Sequence, residues 1–241
     1  MGDIYLSVII PAYNEESRLP DSLRKIIAFL KIQPYASEII VVDDGSSDKT
    51  CGSAEKSLQG FNGGVLKNPG NKGKGYSVRS GMLAATGHFI LFSDADLSTP
   101  IEEVSAFLKH LESGLDVVIG SRSLKESNVE VSQNIIRKAM GRIFNFLARS
   151  LAFRGINDSQ CGFKAFTNKA AKDLFSRQTL DGFGFDVEII FLAQRLGYRI
   201  LEAPVVWRNS AQSKVRIISD SLNMFLDLLR IRWAHRALKK K

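Results

Sequence analysis

Two carboxylates carry the most chemistry in this sequence. An apolar run, Phe89 to Phe92, ends in Ser93-Asp94-Ala95-Asp96, so Asp94 and Asp96 leave the carboxyl end of a segment with the length of a buried strand. Their i, i+2 spacing puts both side chains on one side of an extended chain, and a turn after Leu97 would let them converge on a single ion. With no His or Cys between them, the pair suits a hard, oxygen-preferring cation such as Mg²⁺ or Mn²⁺, which completes its shell with water and phosphate oxygens. The plainer alternative is a strand-end turn with two solvated Asp residues. The rest of the chain must decide between them.

Polar turns of the same kind close other strand-like runs. Tyr5 to Ile10 stops at Pro11 and opens the loop Pro11-Ala12-Tyr13-Asn14-Glu15-Glu16, and a helix follows over 17–31 with Leu19, Leu23, Ile26, Ile27 and Leu30 at helical spacing. Glu38 to Val42 ends in Asp43-Asp44-Gly45-Ser46-Ser47-Asp48, where Ser47 or Asp48 would cap a helix running to about Leu58. Gly64 to Lys67 leads into Asn68-Pro69-Gly70-Asn71-Lys72-Gly73-Lys74-Gly75, ahead of a helix predicted over 76–85. Glycine amides and two lysines before a helix resemble a phosphate cradle, without the spacing of a Walker motif. A helix over 101–111 and a strand over 116–119, ending Gly120-Ser121-Arg122, complete the series. Alternating strands and helices predict a doubly wound α/β sheet to about residue 122, with its crevice at the carboxyl ends of the strands. No Gly-x-Gly-x-x-Gly follows the first strand, which disfavours a dinucleotide-dependent oxidoreductase.

Composition sets the outer bounds. A chain of 241 residues with 44% hydrophobic and 24% charged residues fits one large α/β domain, or a domain with an appendage. The net charge of +8 is unevenly placed: between Lys214 and Lys241 eight Lys or Arg face only Asp220 and Asp227, an excess of +6. Cys51 and Cys161 stand alone, without metal-site or disulfide-framework spacing, and point to a reducing compartment. The start of the chain, with Asp3 and a strand-length apolar run, does not read as a signal peptide, and no uncharged apolar stretch approaches the roughly 20 residues of a membrane span.

Four of these segments, in order, resemble the motifs of family 2 glycosyltransferases: Ser7 to Glu15, Val41 to Asp48, Asn71 to Gly75 and Ser93 to Asp96. The second half adds Gly120-Ser121-Arg122, Asp158-Ser159-Gln160-Cys161-Gly162-Phe163-Lys164, Phe185-Asp186-Val187-Glu188 and Ser213-Lys214. These are similar to the branch that loads a sugar onto a polyprenyl phosphate, and the Gln-Cys-Gly-Phe-Lys and Phe-Asp-Val-Glu versions resemble the dolichyl-phosphate β-glucosyltransferases. The resemblance implies a GT-A fold, a Rossmann-like, mostly parallel mixed sheet with flanking helices. It further implies a nucleotide-sugar donor, UDP-glucose, and inverting transfer to a polyprenyl phosphate. One position departs from the mannose synthases, which carry Gln as a metal ligand where Ser98 stands here. Metal binding therefore rests on Asp94 and Asp96, and the GDP-mannose alternative loses support.

The resemblance also assigns roles. Pro11, Ala12 and Ala95 would belong to the nucleotide-sugar site, Tyr13 would pack on the base, Glu15 with Asp43 or Asp44 would accept from base and ribose, Lys72 would reach the nucleotide, and Asp94 and Asp96 would hold the metal that bridges the diphosphate. Arg122, Arg137 and Lys214 match the acceptor-phosphate positions, and Asp94, Asp96 and Arg122 are the expected catalytic set. A solvated helix face is the alternative for Arg137.

A lipid acceptor requires an apolar path. A helix over 132–153 would align Ile136, Met140, Ile143, Leu147 and Leu151 opposite Lys138, Arg142 and Arg149, and a second over 219–238 carries Met224, Phe225, Leu228, Leu229, Ile231 and Trp233 before Lys239-Lys240-Lys241. The expected organisation is a catalytic domain over 1–212 that includes the first of these helices, then a basic amphipathic helix over 213–241, both lying on the cytosolic face of a membrane. Both helices could instead close the core. Transfer to a soluble acceptor and a catalytically silent sugar-nucleotide-binding module stay open, while no nucleic-acid-binding signature accompanies the basic tail.

Overall fold

The structure, a computed structural model, describes residues 3–130, 148–149, 152–208 and 217–238. Among the described residues, seven strands form the central sheet: β1 (Leu6–Ala12), β2 (Ser37–Asp43), β3 (Gly63–Lys67), β4 (Phe89–Ser93), β5 (Val117–Ser121), β7 (Phe163–Thr167) and β8 (Ile200–Pro204). Their order is β3-β2-β1-β4-β7-β5-β8, and β6 (Asn128–Val129) pairs separately with β9 (Val206–Trp207). Among the described strands of the large sheet, only β7 runs antiparallel, against β4 on one side and β5 on the other. From β1 the chain moves outward to β2 and β3, then returns to place β4 on the opposite side of β1. This reversal opens a crevice beyond the carboxyl ends of β1 and β4, the ends that carry Tyr13 and Asp94.

Helices cover both faces: α1 (Leu19–Lys31), α2 (Thr50–Ser57), α3 (Lys74–Ala84), α4 (Val104–Glu112), α5 (Asn168–Arg177), α6 (Phe185–Arg195) and α7 (Ile217–Ala234). Strand alternation divides the apolar residues accordingly. Val8 and Ile10 pack on the side of Leu19, Leu23 and Phe107, whereas Ile9 faces Val78, Met82, Phe166 and Phe185 on the other. Both faces of the sheet are therefore dry, which explains the near-continuous apolar strands in the sequence.

Three predicted boundaries shift in informative ways. Helix α3 starts at Lys74 rather than Tyr76, which makes Lys74 and Gly75 part of its first turn. Helix α2 starts at Thr50, whose amide donates to Asp48 Oδ1 at 2.9 Å. The segment after Pro100 opens as a 3₁₀ turn, Ile101–Glu103, before α4. Helix α7 docks on the body through Leu228 and Ile231, which join the core that holds Phe185 and Val187. Among the described residues, no helix is long and apolar enough to cross a membrane. The helix expected over 132–153 lies almost wholly outside the described residues.

Candidate active site

Three loops meet at the carboxyl ends of β1, β2 and β3. Asn14 takes a left-handed conformation (φ 53°), and its side-chain oxygen accepts the Ser47 amide at 2.9 Å while its own amide donates to Ser46 Oγ at 2.9 Å. The first two loops are thereby fixed to each other. Asp44 holds the third: its carboxylate accepts from Asn68 Nδ2 (2.7 Å) and from the amides of Lys72 (3.0 Å) and Gly73 (2.8 Å). Gly73 needs to be glycine, because its φ is 103° and a Cβ there would strike the Asp181 carbonyl. Asp43 is buried and accepts the Ser46 amide at 3.3 Å, and buried Glu15 receives Arg18 in a two-pronged pair at 2.6 and 2.7 Å. Tyr13 is 38% exposed at the rim, and Lys72 points to solvent. Pro11 and Ala12 close β1 beside them.

Asp94 and Asp96 stand at the end of β4 with the chain turning at Leu97 (φ 47°), the turn that their convergence requires. Lys74 Nζ lies 2.7 Å from Asp94 Oδ1, and Arg18 reaches within 4.0 Å of Asp96 Oδ2, whose partner oxygen accepts the Ser98 amide at 3.0 Å. Behind Asp94, its amide donates to the Gly162 carbonyl at 3.0 Å, and any Cβ at Gly162 would overlap the Asp94 carboxylate. Ala95 is buried beneath the pair. Phe92, two residues earlier, has the ammonium groups of Lys74 and Lys164 at 5.3 and 5.7 Å from its ring centroid. Among the described residues no group of three or more His, Cys, Asp or Glu side chains gathers around a point. A cation held by Asp94 and Asp96 would take its remaining ligands from substrate and water, a donor set that fits Mg²⁺ or Mn²⁺.

Arg122, just past β5, is held by Asp158 through Nε (2.6 Å), Nη2 (2.8 Å) and its own backbone amide (3.0 Å). Asp158 is only 1% exposed, and its own amide donates to Glu202 at 2.8 Å. Burial alone would raise the Asp158 pKa, but the Arg122 guanidinium outweighs it and holds the carboxyl below its usual range. The β6–β9 pair brings Trp207 under the guanidinium, 5.5 Å from ring centroid to Cζ. Next to this clamp the buried Lys164 ammonium pairs with buried Asp186 and donates to the Cys161 carbonyl at 2.6 Å. Burial raises the Asp186 pKa despite Lys164 and Lys74, and it pushes the Cys161 thiol up to about 11, leaving that cysteine unreactive.

The structure thus brings Asp94, Asp96, Asp43, Asp44, Glu15 and Tyr13 to one crevice. Arg137 and Lys214 lie outside the described residues. Sequence reasoning gave no role to Arg18, Asp158, Lys164 or Asp186, although three of the four sit inside the family-like motifs, and it gave Lys74 only a share in a phosphate cradle, not a contact with Asp94. Lys74 was legible as the second lysine of Asn-Lys-Gly-Lys-Gly. The partnership of Arg122 with Asp158, 36 positions apart, had no local signal.

Comparison with known proteins identifies the family and the fold. Residues 7–175 match the sequence model for glycosyl transferase family 2. Relatives include proteins named dolichyl-phosphate beta-glucosyltransferase from Dictyostelium discoideum (37% identical, covering 98% of this chain and 76% of the relative) and Homo sapiens (36%, 94% and 74%). A third, from Saccharomyces cerevisiae, is 35% identical, covering 97% of this chain and 75% of its own. The fold is shared with glucosyl-3-phosphoglycerate synthase from Mycobacterium tuberculosis, solved in complex with uridine diphosphate (TM-score 0.69, 21% identity, 95% and 80% covered). Another solved structure of that synthase, with Mn²⁺ and uridine-diphosphate-glucose, gives a TM-score of 0.67 at 19% identity, with 95% and 79% covered. The family match spans more than two-thirds of the chain, the relatives are at least 35% identical over nearly all of it, and the sheet is the mixed one of the GT-A fold: the chain belongs to glycosyl transferase family 2.

Proposed function

We propose that this protein transfers glucose from UDP-glucose to the phosphate of a membrane-borne polyprenyl acceptor, inverting the anomeric carbon. The observation that carries the reading is the reach of the likeness. Relatives named for that reaction are 35–37% identical over 94–98% of the chain, through the Arg122 and Asp158 segments as well as the donor loops.

The chemistry of the site supports it. Most acceptors of an inverting transfer need a general base, but here the buried carboxylates beside Arg122 are committed, Asp158 to Arg122 and Asp186 to Lys164. A phosphate monoester needs no base, because its second pKa is about 6 and the attacking oxygen is already ionised at neutral pH. That oxygen would form the new bond to C1 as the bond from C1 to the diphosphate oxygen breaks, leaving the negative charge on UDP. A divalent cation bound by Asp94 and Asp96 would neutralise that charge. Asp44 would shape the loop around the nucleotide, Tyr13 would pack on the base, and Glu15, Asp43 and Lys72 would complete the donor side. On the acceptor side, Arg122 keeps an edge of its guanidinium free of Asp158, and Arg137 and Lys214 would join it on the phosphate.

For the membrane, α7 supplies an outer stripe of Phe225, Leu226, Leu229 and Trp233, all exposed, beside Arg230 and Arg236. We place this stripe and the basic residues after it on an anionic, cytosolic-facing leaflet, with residues 1–212 as the catalytic domain. The test is a screen of radiolabelled UDP-glucose and GDP-mannose with Mg²⁺ or Mn²⁺ and a short-chain polyprenyl phosphate, scored by extraction of label into lipid. Lipid-soluble label from UDP-glucose is expected. Label from GDP-mannose alone would replace the donor, and label only on water-soluble acceptors would replace the acceptor class.

A further inference from the structure

Phe185-Asp186-Val187-Glu188 opens α6, and the mechanism above uses only its Asp186. Glu188 is fully buried, and every hydrogen bond it accepts has a structural address. Its Oε1 accepts from the Thr179 amide (2.9 Å) and hydroxyl (2.6 Å), and its Oε2 from the Leu180 amide (2.8 Å). A further contact to Oε1 comes from far along the chain: His235 Nε2, one residue past α7, at 2.6 Å. Burial would raise the Glu188 pKa, but the hydrogen bonds from His235 and Thr179 outweigh it and lower it.

The segment that Glu188 holds, 178–182, is the outer wall of the glycine-rich loop. Gln178 Nε2 donates to the carbonyls of Gly75 (2.9 Å) and Leu180 (2.6 Å). The Asp181 carbonyl accepts the Tyr76 amide at 3.1 Å and would clash with a Cβ on Gly73, while Arg79 ties Asp181 (2.9 Å) and the Gln178 carbonyl (3.1 Å) to α3. The loop is therefore gripped from two sides, by Asp44 from within and by 178–182 from without. Lys74, in the first turn of α3, carries the result to Asp94.

We propose that His235 and Glu188 are positioning residues for the nucleotide-sugar site: His235 completes the hydrogen-bond set of Glu188, which sets the 178–182 segment and with it the loop bearing Lys74. The donor role of that loop rests on the function proposed above. The consequence is that the helix whose outer stripe faces lipid is latched by its inner end to the donor loop. Leu228 and Ile231, on the same inner face, hold α7 to the core independently of the latch. Its loss should therefore loosen the loop without detaching the helix.

Full-length His235→Ala, His235→Gln and Glu188→Gln proteins test this by amide exchange over 178–182 and 71–77 and by steady-state kinetics with UDP-glucose. His235→Ala and Glu188→Gln are expected to speed exchange in both segments by about tenfold and to raise the donor KM by a similar factor, with kcat changed less. Glutamine at 235 keeps an N–H directed at Glu188 and should recover most of both effects. Unchanged exchange in 178–182 and 71–77 for the two disruptive variants would overturn the latch, and altered exchange with an unaltered donor KM would overturn its role in the site. Should His235→Ala not fold, Glu188→Gln against the parent and His235→Gln decides the same question. A parent protein that neither binds UDP nor transfers glucose defeats the function reading, and the exchange measurement still decides whether the latch exists.

Discussion

Lys74 Nζ sits 2.7 Å from Asp94 Oδ1, so the glycine-rich loop and the end of β4 are joined at their charged groups. The ammonium holds one oxygen of the carboxylate that we assign to a cation. Asp94 and Asp186 raise the Lys74 pKa in spite of its burial, so the group stays charged at neutral pH. Replacing Lys74 by Gln should therefore lower the half-saturating concentration of Mn²⁺ while reducing turnover, each by about tenfold. A titration of activity against metal checks both, and a variant with the parent's metal dependence would separate Lys74 from the cation.

Asp96 tests the cation assignment from the other side. Its carboxylate is partly exposed, accepts the Ser98 amide and lies 4.0 Å from Arg18. Asp96→Ala should leave thermal unfolding within about 1 kcal/mol of the parent, since the residue is outside the core. Transfer should fall by at least about a hundredfold. Retention of most of the activity would remove Asp96 from the metal site.

The fold and half of the site were readable in the sequence because their signals are local. Apolar runs ending in carboxylates mark strand ends, and an open α/β sheet places ligands there, so Asp43, Asp44, Asp94 and Asp96 followed from period and punctuation. What escaped is non-local. Strand β7 inserts between β4 and β5 in the opposite direction, and nothing in Phe163–Thr167 states which neighbours it will choose. Asp158, Lys164 and Asp186 acquire their chemistry from that insertion, as partners of Arg122 and of each other. Asp44 illustrates a subtler gap. Its position was legible, yet its hydrogen bonds go to the amides of Lys72 and Gly73, a structural task that residue type alone does not separate from ligand binding.

Asp158 should reveal itself in pH dependence. Its pKa in the folded protein is lowered, so its contribution is present above the unfolded value of about 3.9 and is lost as pH falls through the folded value. Breaking this buried pair by Asp158→Asn should cost about 3–5 kcal/mol at neutral pH. The difference from the parent should shrink below about pH 4 as the parent loses the same interaction. Thermal unfolding at neutral and acidic pH measures this, and a gap that widens on acidification would reverse the assigned sign.

Arg122→Ala separates acceptor from donor. The guanidinium stacks on Trp207 and pairs with Asp158, whereas the nucleotide loops are fixed by Asn14 and Asp44. Transfer to polyprenyl phosphate should fall by about a hundredfold or more, and UDP affinity measured by calorimetry should move less than about threefold. Equal losses in both would transfer Arg122 to the nucleotide side.

Attachment to a bilayer should divide into two measurable parts. Trp233 is 70% exposed and Leu229 50%, so the outer face of α7 offers apolar surface that no other part of the described chain covers. Inserting such side chains is worth roughly 25 cal/mol per Å² removed from water, independent of salt. The basic excess of the last 28 residues adds on the order of 1 kcal/mol per Lys or Arg near an anionic surface, and this part is screened within a Debye length. Binding to vesicles should therefore rise with anionic lipid and fall with salt, toward a floor set by the apolar stripe. Trp233→Ala should lower that floor by about tenfold without changing UDP affinity, because Trp233 lies on the face away from Leu228, Ile231 and the donor loop. Replacing Lys239, Lys240 and Lys241 by Gln should instead flatten the dependence on anionic lipid. Flotation of the protein with neutral and anionic vesicles over a range of salt reads both, and a protein that ignores vesicles of either kind would sever α7 from the membrane and favour a soluble acceptor.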